Sequence, residues 1–314
     1  MVLRPTLMEQ IDIFHRKSLR SFLSLSDRSP VPALFFLFGE LPLSAKIQRD
    51  VFSLFYGIMS NPKTTVYKIV RYLLEEAPNN SRTWSIYVRN LAKQYGLADP
   101  LDMMNQELMS KENFKEMVTT KISAYHEEQQ RNRATNNSKM VFLNVSVTGL
   151  RGKHHPVLSD VITTADVKAV RPVLKCLTSD YYTYSVRAAH TGGSDHCRIC
   201  VSKDDDGNRP TEDIVHVIAG CDATSDIRQK MLEDVIVAAG NTKVPIDITS
   251  ILSNQITLTQ FLLDNTSLNL DNSQRVNISD IASLQIFKQS RKLISAIHAE
   301  RLRKLKQLEK KYQS

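Results

Sequence analysis

Apolar residues recur along this chain at the three-and-four spacing of amphipathic helices rather than at the alternation of strands. The first run covers residues 6–25, with Leu7, Ile11, Phe14 and Phe22 on one expected face between Pro5 and a serine-rich stop. Ser29-Pro30-Val31-Pro32 breaks the pattern, and the segment from Ala33 through Phe38 is apolar on every side, which predicts burial. Ser44 is placed to cap a helix bearing Ile47, Val51, Leu54, Phe55 and Ile58, which Asn61-Pro62 ends. Residues 64–76 form a third helix, and Ser81 opens a fourth in which Trp84, Val88, Leu91 and Tyr95 share a face up to Gly96. A long helix from Ser110 carries Phe114, Val118, Ile122 and Tyr125, and the polar run 127–138 reads as its dissolution into a linker.

In the second half, residues 140–147 alternate weakly and predict a short strand, and 149–156 form a basic loop with Arg151, Lys153, His154 and His155. Helical pattern resumes at Thr164, is disturbed by Pro172, and continues from Thr178 through Tyr181, Tyr184 and Arg187. Ser225 caps a helix with Ile227, Met231, Val235 and Ala238 on one face, ended by Gly240-Asn241. One short helix is expected over 249–263, a loop over 268–272, and a final helix from Ser279 to about Tyr312. The expected fold is mainly α, an irregular multi-helix array with a small Cys3His zinc-held segment and a long basic C-terminal helix. The expected division is a helical domain at 1–131, a connector with helices at 132–187, a zinc segment and following helix at 188–241, and a terminal segment at 242–314.

Composition narrows the class. The 314 residues are 42% hydrophobic and 24% charged, ordinary for a soluble globular protein, and ten glycines make a turn-rich β-sandwich a poor fit. Neither a signal peptide nor an apolar run long enough to span a bilayer is present, and cysteines are few, which predicts a soluble intracellular protein with no membrane partner. The net charge of +8 is uneven: Asp280 to Ser314 holds nine Lys or Arg against three Asp or Glu, a balance of +6. Within that segment Arg301, Arg303, Lys304 and Lys306 are the candidate contacts to nucleic-acid phosphates, although a solvated helix packed by its apolar stripe explains the same charges.

Three of the four cysteines fall inside one window, where Cys197-Arg198-Ile199-Cys200 is followed after fifteen residues by His216-Val217-Ile218-Ala219-Gly220-Cys221. Two thiolates from one tight turn, and a His and a Cys from the start of a following helix, make the closed tetrahedral set that structural Zn2+ prefers. With Cys197, Cys200, His216 and Cys221 all ligating, no open position remains for catalysis. The plainer reading is reduced, buried cysteines beside a histidine, and His196 is an alternative ligand. Asp204, Asp206 and Gly207 only partly match a calcium loop and read as a solvated turn. Phosphate loops, nucleophile elbows and His-Glu-x-x-His helices are all missing, so no enzyme activity is expected.

Four stretches together are similar to one family. They are Leu34-Phe35-Phe36-Leu37-Phe38-Gly39-Glu40-Leu41-Pro42 leading into the Phe52-Ser53-Leu54-Phe55 helix; Ser81 through Arg89 with Gln94 through Leu101; the Cys-x2-Cys…His-x4-Cys window; and Phe287 through Arg291 with Ala296-Ile297-His298. In order and spacing the chain resembles the C-terminal, post-polymerase region of reverse-transcriptase polyproteins from non-LTR (LINE-type) retrotransposons of invertebrate animals. The resemblance implies a non-catalytic, zinc-stabilised module whose Cys/His window is a zinc knuckle helping to hold RNA or DNA, or one that docks to the upstream reverse-transcriptase domain. It also implies a truncated or degenerate copy, since the polymerase carboxylates of that family lie upstream. The fifteen-residue gap departs from the short knuckle and favours shaping a surface over reading bases.

Overall fold

A computed structural model of the chain describes residues 5–78, 81–146, 149–200, 209–241, 246–267 and 281–313. Helices run in the order α1 (Pro5–Leu23), α2 (Val31–Phe38), α3 (Leu43–Met59), α4 (Thr65–Glu76), α5 (Trp84–Gln94), α6 (Pro100–Asn105) and α7 (Lys111–Thr135). They continue as α8 (Thr164–Leu177), α9 (Tyr184–Thr191), α10 (Ser225–Gly240), α11 (Ile248–Ser253), α12 (Gln255–Leu263) and α13 (Ile281–Gln313). Among the described residues there is no strand, only an isolated bridge between His196 and Thr211. None of these helices is long and apolar enough to cross a membrane. The mainly helical class read from the periodicity holds, with the Cys/His cluster and the long C-terminal helix in place.

The chain forms two compact units. The first comprises 1–19, 38–133 and 149–153, and the second 20–37, 134–148 and 154–314. In the first unit Phe52 and Phe55 of α3 and Ile86 and Val88 of α5 are fully buried, and Phe55 meets Trp84 with ring centroids 6.4 Å apart. Short polar side chains start its helices: Thr64 accepts from Tyr67 N, Thr83 from Ile86 N, and Asp99 from Leu101 N ahead of Pro100. Gly39 has φ +64°, and a Cβ there would lie 1.9 Å from the Lys153 carbonyl oxygen, so only glycine fits where the 149–153 segment crosses it.

Several local expectations fail for reasons of packing. Ser44 is not a cap; it lies inside α3, whose first-turn donors are instead met by the Asp12 carboxylate, which accepts from Ser44 N at 2.9 Å and Ser44 Oγ at 2.6 Å. Residues 127–138 do not dissolve the helix, because α7 runs to Thr135 and buries Gln130, although the division between the two units falls within them at 133/134; Glu, Gln and Arg are good helix formers whatever their polarity. The first helix forms, yet Phe14 and Phe22 of its expected inner face are 69% and 73% exposed while Met8 and Leu23 are buried. Thr83, not Ser81, opens the fourth helix, and Ser225 is the first residue of α10, donating to Asp222 O at 2.8 Å rather than capping.

The second unit corrects others. The strand expected at 140–147 is a 3-10 turn at Ser138–Met140 followed by irregular chain to Ser146; residue 147 lies outside the described residues. Its backbone acceptors are met by side chains in place of a sheet partner, Gln260 Nε2 donating to Phe142 O at 3.0 Å. Helix α8 continues through Pro172, then stops at Leu177, and Thr183 starts α9 afresh. Residues 249–263 are two helices, split where Asn254 takes extended backbone and caps α12. The calcium-like turn at 204–207, the loop at 268–272 and Ser279 lie outside the described residues. Of the adjacent histidines of the basic loop, His155 is fully buried with Nε2 3.3 Å from Asp264 Oδ2, a structural pair.

One titration is built into the first unit. His126 on α7 sits with Nε2 3.3 Å from the Tyr95 hydroxyl and its ring edge-on to Tyr125 at 5.3 Å. Burial pushes its imidazole down to about 4 from 6.5. The unfolded chain therefore binds the extra proton first, so stability is full above the unfolded value and falls as pH drops through the window down to the folded value. The expected loss is on the order of 2–3 kcal/mol. Urea unfolding of the His126→Phe variant should show a smaller drop between pH 7 and pH 4 than the parent; equal drops would refute the assignment.

Candidate metal centre

The site is assembled by chain reversals and a single unusual turn. Helix α9 ends at Gly192 in the left-handed conformation, and the chain doubles back. Cys197 N donates to Pro210 O at 2.8 Å and Glu212 N to Asp195 O at 2.8 Å, so the two ligand-bearing arms run side by side. Cys197 and Cys200 come from the first arm. On the second, Asp213 Oδ1 accepts from His216 N at 2.7 Å and starts a π-helical turn over His216–Gly220.

That turn decides the geometry. In an α-helix, residues five apart point about 140° away from each other at 3.6 residues per turn. Here Cys221 N donates to His216 O at 2.6 Å, the wider i to i+5 closure, which brings the first and last residues of the turn toward one face. The expected start of an α-helix at His216 is thus a π turn, and α10 begins only at Ser225. The change serves the cluster, since an α-helical turn would aim Cys221 away from His216.

Cys197, Cys200, His216 and Cys221 are all buried, and their four ligand atoms lie within 4.8 Å of one another. Cys200 Sγ is 3.3 Å from His216 Nε2 and 3.4 Å from Cys221 Sγ. Two sulfurs on a tetrahedral ion at about 2.3 Å stand about 3.8 Å apart, so a few tenths of an ångström of expansion makes room for one. The residues therefore can hold a metal ion. His196, the alternative ligand, is exposed, lies 3.8 Å from Asp195 and stays outside the cluster.

Without a cation the Cys197 and Cys200 thiols hold their protons. A hydrogen bond with Cys221, with burial behind it, raises the Cys197 thiol, and burial pushes the Cys200 thiol up to about 12. A catalytic cysteine needs the opposite shift. Cys176, the fourth cysteine, is buried in α8 and takes no part. Around the cluster, Arg228 Nη2 donates to Cys221 O at 3.0 Å, placing a cation beside three sulfurs that would leave a dication with one net negative charge. Leu305 and Leu308 of α13 pack against the cysteines, and Lys304 Nζ donates to Ala223 O at 2.7 Å.

The structure separates the four basic residues expected to meet phosphates. Arg301 is not at the surface: it is 5% exposed and paired with the fully buried Glu212, because α13 turns this position inward against the Glu212 arm. Arg303 is exposed and donates from Nε and Nη2 to the two carboxylate oxygens of Glu300, at 2.7 and 2.6 Å. Lys306 is exposed, and Lys304 lines a cleft of about 710 Å3 whose wall includes Cys200. Arg198, Arg209, Lys310 and Lys311 join Lys304 there, with no acidic side chain among the described lining residues. The acidic run Asp204-Asp205-Asp206 lies outside the described residues. Sequence reading overlooked Arg198 and Arg209 because they belong to the metal segment rather than to a charge run, although Arg198 stands between the paired cysteines. Comparison with protein-family models, curated proteins and solved structures finds no match for the chain.

Proposed function

We propose that this chain is a non-catalytic, zinc-stabilised helical module that binds RNA or DNA through its phosphates. The observation that carries the reading is that a buried Cys3His cluster and five cations share one cleft, with Cys200 in its wall. Three thiolates and an imidazole in a tetrahedral array suit zinc better than calcium or magnesium, which take oxygen ligands. In this reading Cys197, Cys200, His216 and Cys221 hold the ion, and the ion holds Arg198 and Arg209 opposite Lys304, Lys310 and Lys311 of α13. Arg303 and Lys306 extend the basic surface, and Arg301 serves the interior. The resemblance to the post-polymerase region of LINE-type reverse transcriptases supports the same role, with a reverse-transcriptase domain as a further partner.

Phosphate binding releases condensed counterions, so affinity should fall linearly on a log–log plot against salt, with about 0.7 per contact for single strands and about 0.9 for duplex. Anisotropy of a labelled oligonucleotide between about 50 and about 200 mM salt measures this slope. The Arg209→Gln, Lys310→Gln double variant is expected to flatten it by about 1–2. Absence of binding at the lowest salt would remove the nucleic-acid reading and leave a metal-held clamp that docks protein.

A further inference from the structure

A second cleft lies beside the cationic one and differs from it in chemistry. It encloses about 270 Å3 and is walled by Tyr182, Tyr184 and Leu302 over a floor formed by Tyr181 and His298, whose Nδ1 lies 2.8 Å from the Tyr181 hydroxyl. Its charges balance, Lys175 and Arg187 against Asp180 and Glu309, with Arg301 already committed to Glu212. On α13 the two clefts occupy adjoining faces: Arg301 and Leu305 line this one, and Lys304 and Leu308 the cationic one, offset by about 60° at 3.6 residues per turn. Arg198 links them, lining the cationic cleft while its guanidinium sits 4.7 Å over the Tyr184 ring.

Tyr182 is the feature that packing does not explain. Its ring is 62% exposed, yet its neighbours Tyr181 and Thr183 are 3% and 1% exposed and its carbonyl accepts from Arg301 Nη2 at 3.3 Å. A solvent-facing aromatic ring on an anchored stretch of backbone, beside a row of cations, is the pairing with which proteins bind unpaired nucleic acid, since every base has a stacking face and every nucleotide a phosphate. Duplex DNA offers the phosphates but hides its base faces.

We infer that the ligand is single-stranded, with phosphates along Arg198, Arg209, Lys304 and Lys310 and one unpaired base stacked on Tyr182 in the neutral cleft. The inference rests on the nucleic-acid reading above and narrows it to one strand form. In it Tyr184 is held in place by Arg198, and Lys175 and Arg187 flank the entering base.

The test uses the full metal-loaded chain and four labelled probes of equal length: single-stranded RNA, single-stranded DNA, the DNA duplex and an abasic deoxyribose-phosphate strand. Single strands are expected to bind more tightly than duplex and abasic strand. Tyr182→Ala should weaken single-strand binding by about 5- to 100-fold, the range of one base–aromatic stack, and Tyr182→Phe should restore it. The same Tyr182→Ala change should leave the abasic strand unaffected, while Lys310→Gln should weaken all four probes. Equal binding of duplex and single strand, or a neutral Tyr182→Ala, would overturn the stacking site while leaving phosphate binding standing. No binding of any probe at low salt would overturn both. Because the Tyr182 ring is exposed, its removal is expected to leave the melting temperature unchanged, which separates lost stacking from lost folding.

Discussion

Removing the metal with a strong chelator, or replacing one ligand by Cys200→Ser, is expected to unfold the segment between Asp195 and Thr224 and to strip α13 of its packing there. The expectation follows from two magnitudes. Structural zinc supplies about 10–16 kcal/mol of apparent binding energy in small modules, whereas a domain of ordinary size is stable by about 5–15 kcal/mol in total. Among its described residues the segment's own backbone order is one isolated bridge, a π turn, a 3-10 turn and a few loop bonds. Apart from the cluster it is therefore held by side-chain anchors, Glu212 to Arg301 and the carbonyls of Cys221 and Ala223 to Arg228 and Lys304. Leu305 and Leu308 lean on the cysteines themselves, so loss of the ion opens the cationic cleft as well. The purified chain should carry one zinc, Cys176→Ala should keep it, and Cys200→Ser should lose it together with a cooperative part of the thermal transition. Metal analysis beside circular dichroism checks both. A chain holding far less than one zinc, whose Cys200→Ser variant melts like the parent, would refute the centre.

Arg301→Met should destabilise the chain by about 3–5 kcal/mol, the cost of leaving a buried carboxylate without its cation. Glu212 is fully buried, its Oε1 accepts from Tyr184 N at 3.0 Å at the start of α9, and Arg301 lies 5.7 Å over the Tyr181 ring. The pair thus ties α13 to the arm that carries His216 four residues on. Adding Glu212→Gln removes the stranded charge while keeping an acceptor for Tyr184 N, so the double variant should recover part of the loss. Urea unfolding of both single variants and the double gives the coupling. A surface phosphate ligand would behave in the opposite way: Arg301→Met would leave stability within ~0.5 kcal/mol and weaken nucleic-acid binding instead.

The two tests bear on different kinds of sequence information. The Cys/His cluster was legible as residue types and spacings, because thiols with an imidazole have few other uses at that density. The helices were legible because 3.6-residue periodicity is local, whereas their caps were not: Ser44, Ser81 and Ser225 do not cap, and Thr64, Thr83 and Asp99 do. Arg301 was not legible: five residues of the same charge stand between it and Ser314, and nothing local distinguishes the one turned inward. Tyr182 and Tyr184 were likewise absorbed into a helical pattern, whereas Thr183 starts a helix between them.

What could be read along the chain is therefore what neighbours within one or two turns decide: helix class, many helix ends, the members of the Cys/His cluster and the basic character of the last segment. What could not be read depends on elements far apart in sequence meeting in space. Asp12 caps α3 from 32 residues away, Glu212 turns Arg301 from ligand to strut across 89, and Arg198 joins the cations of α13 through the fold of the metal arms. Burial and charge compensation belong to such pairs, not to either residue alone, and that is why the cluster was legible while the cleft it builds was not.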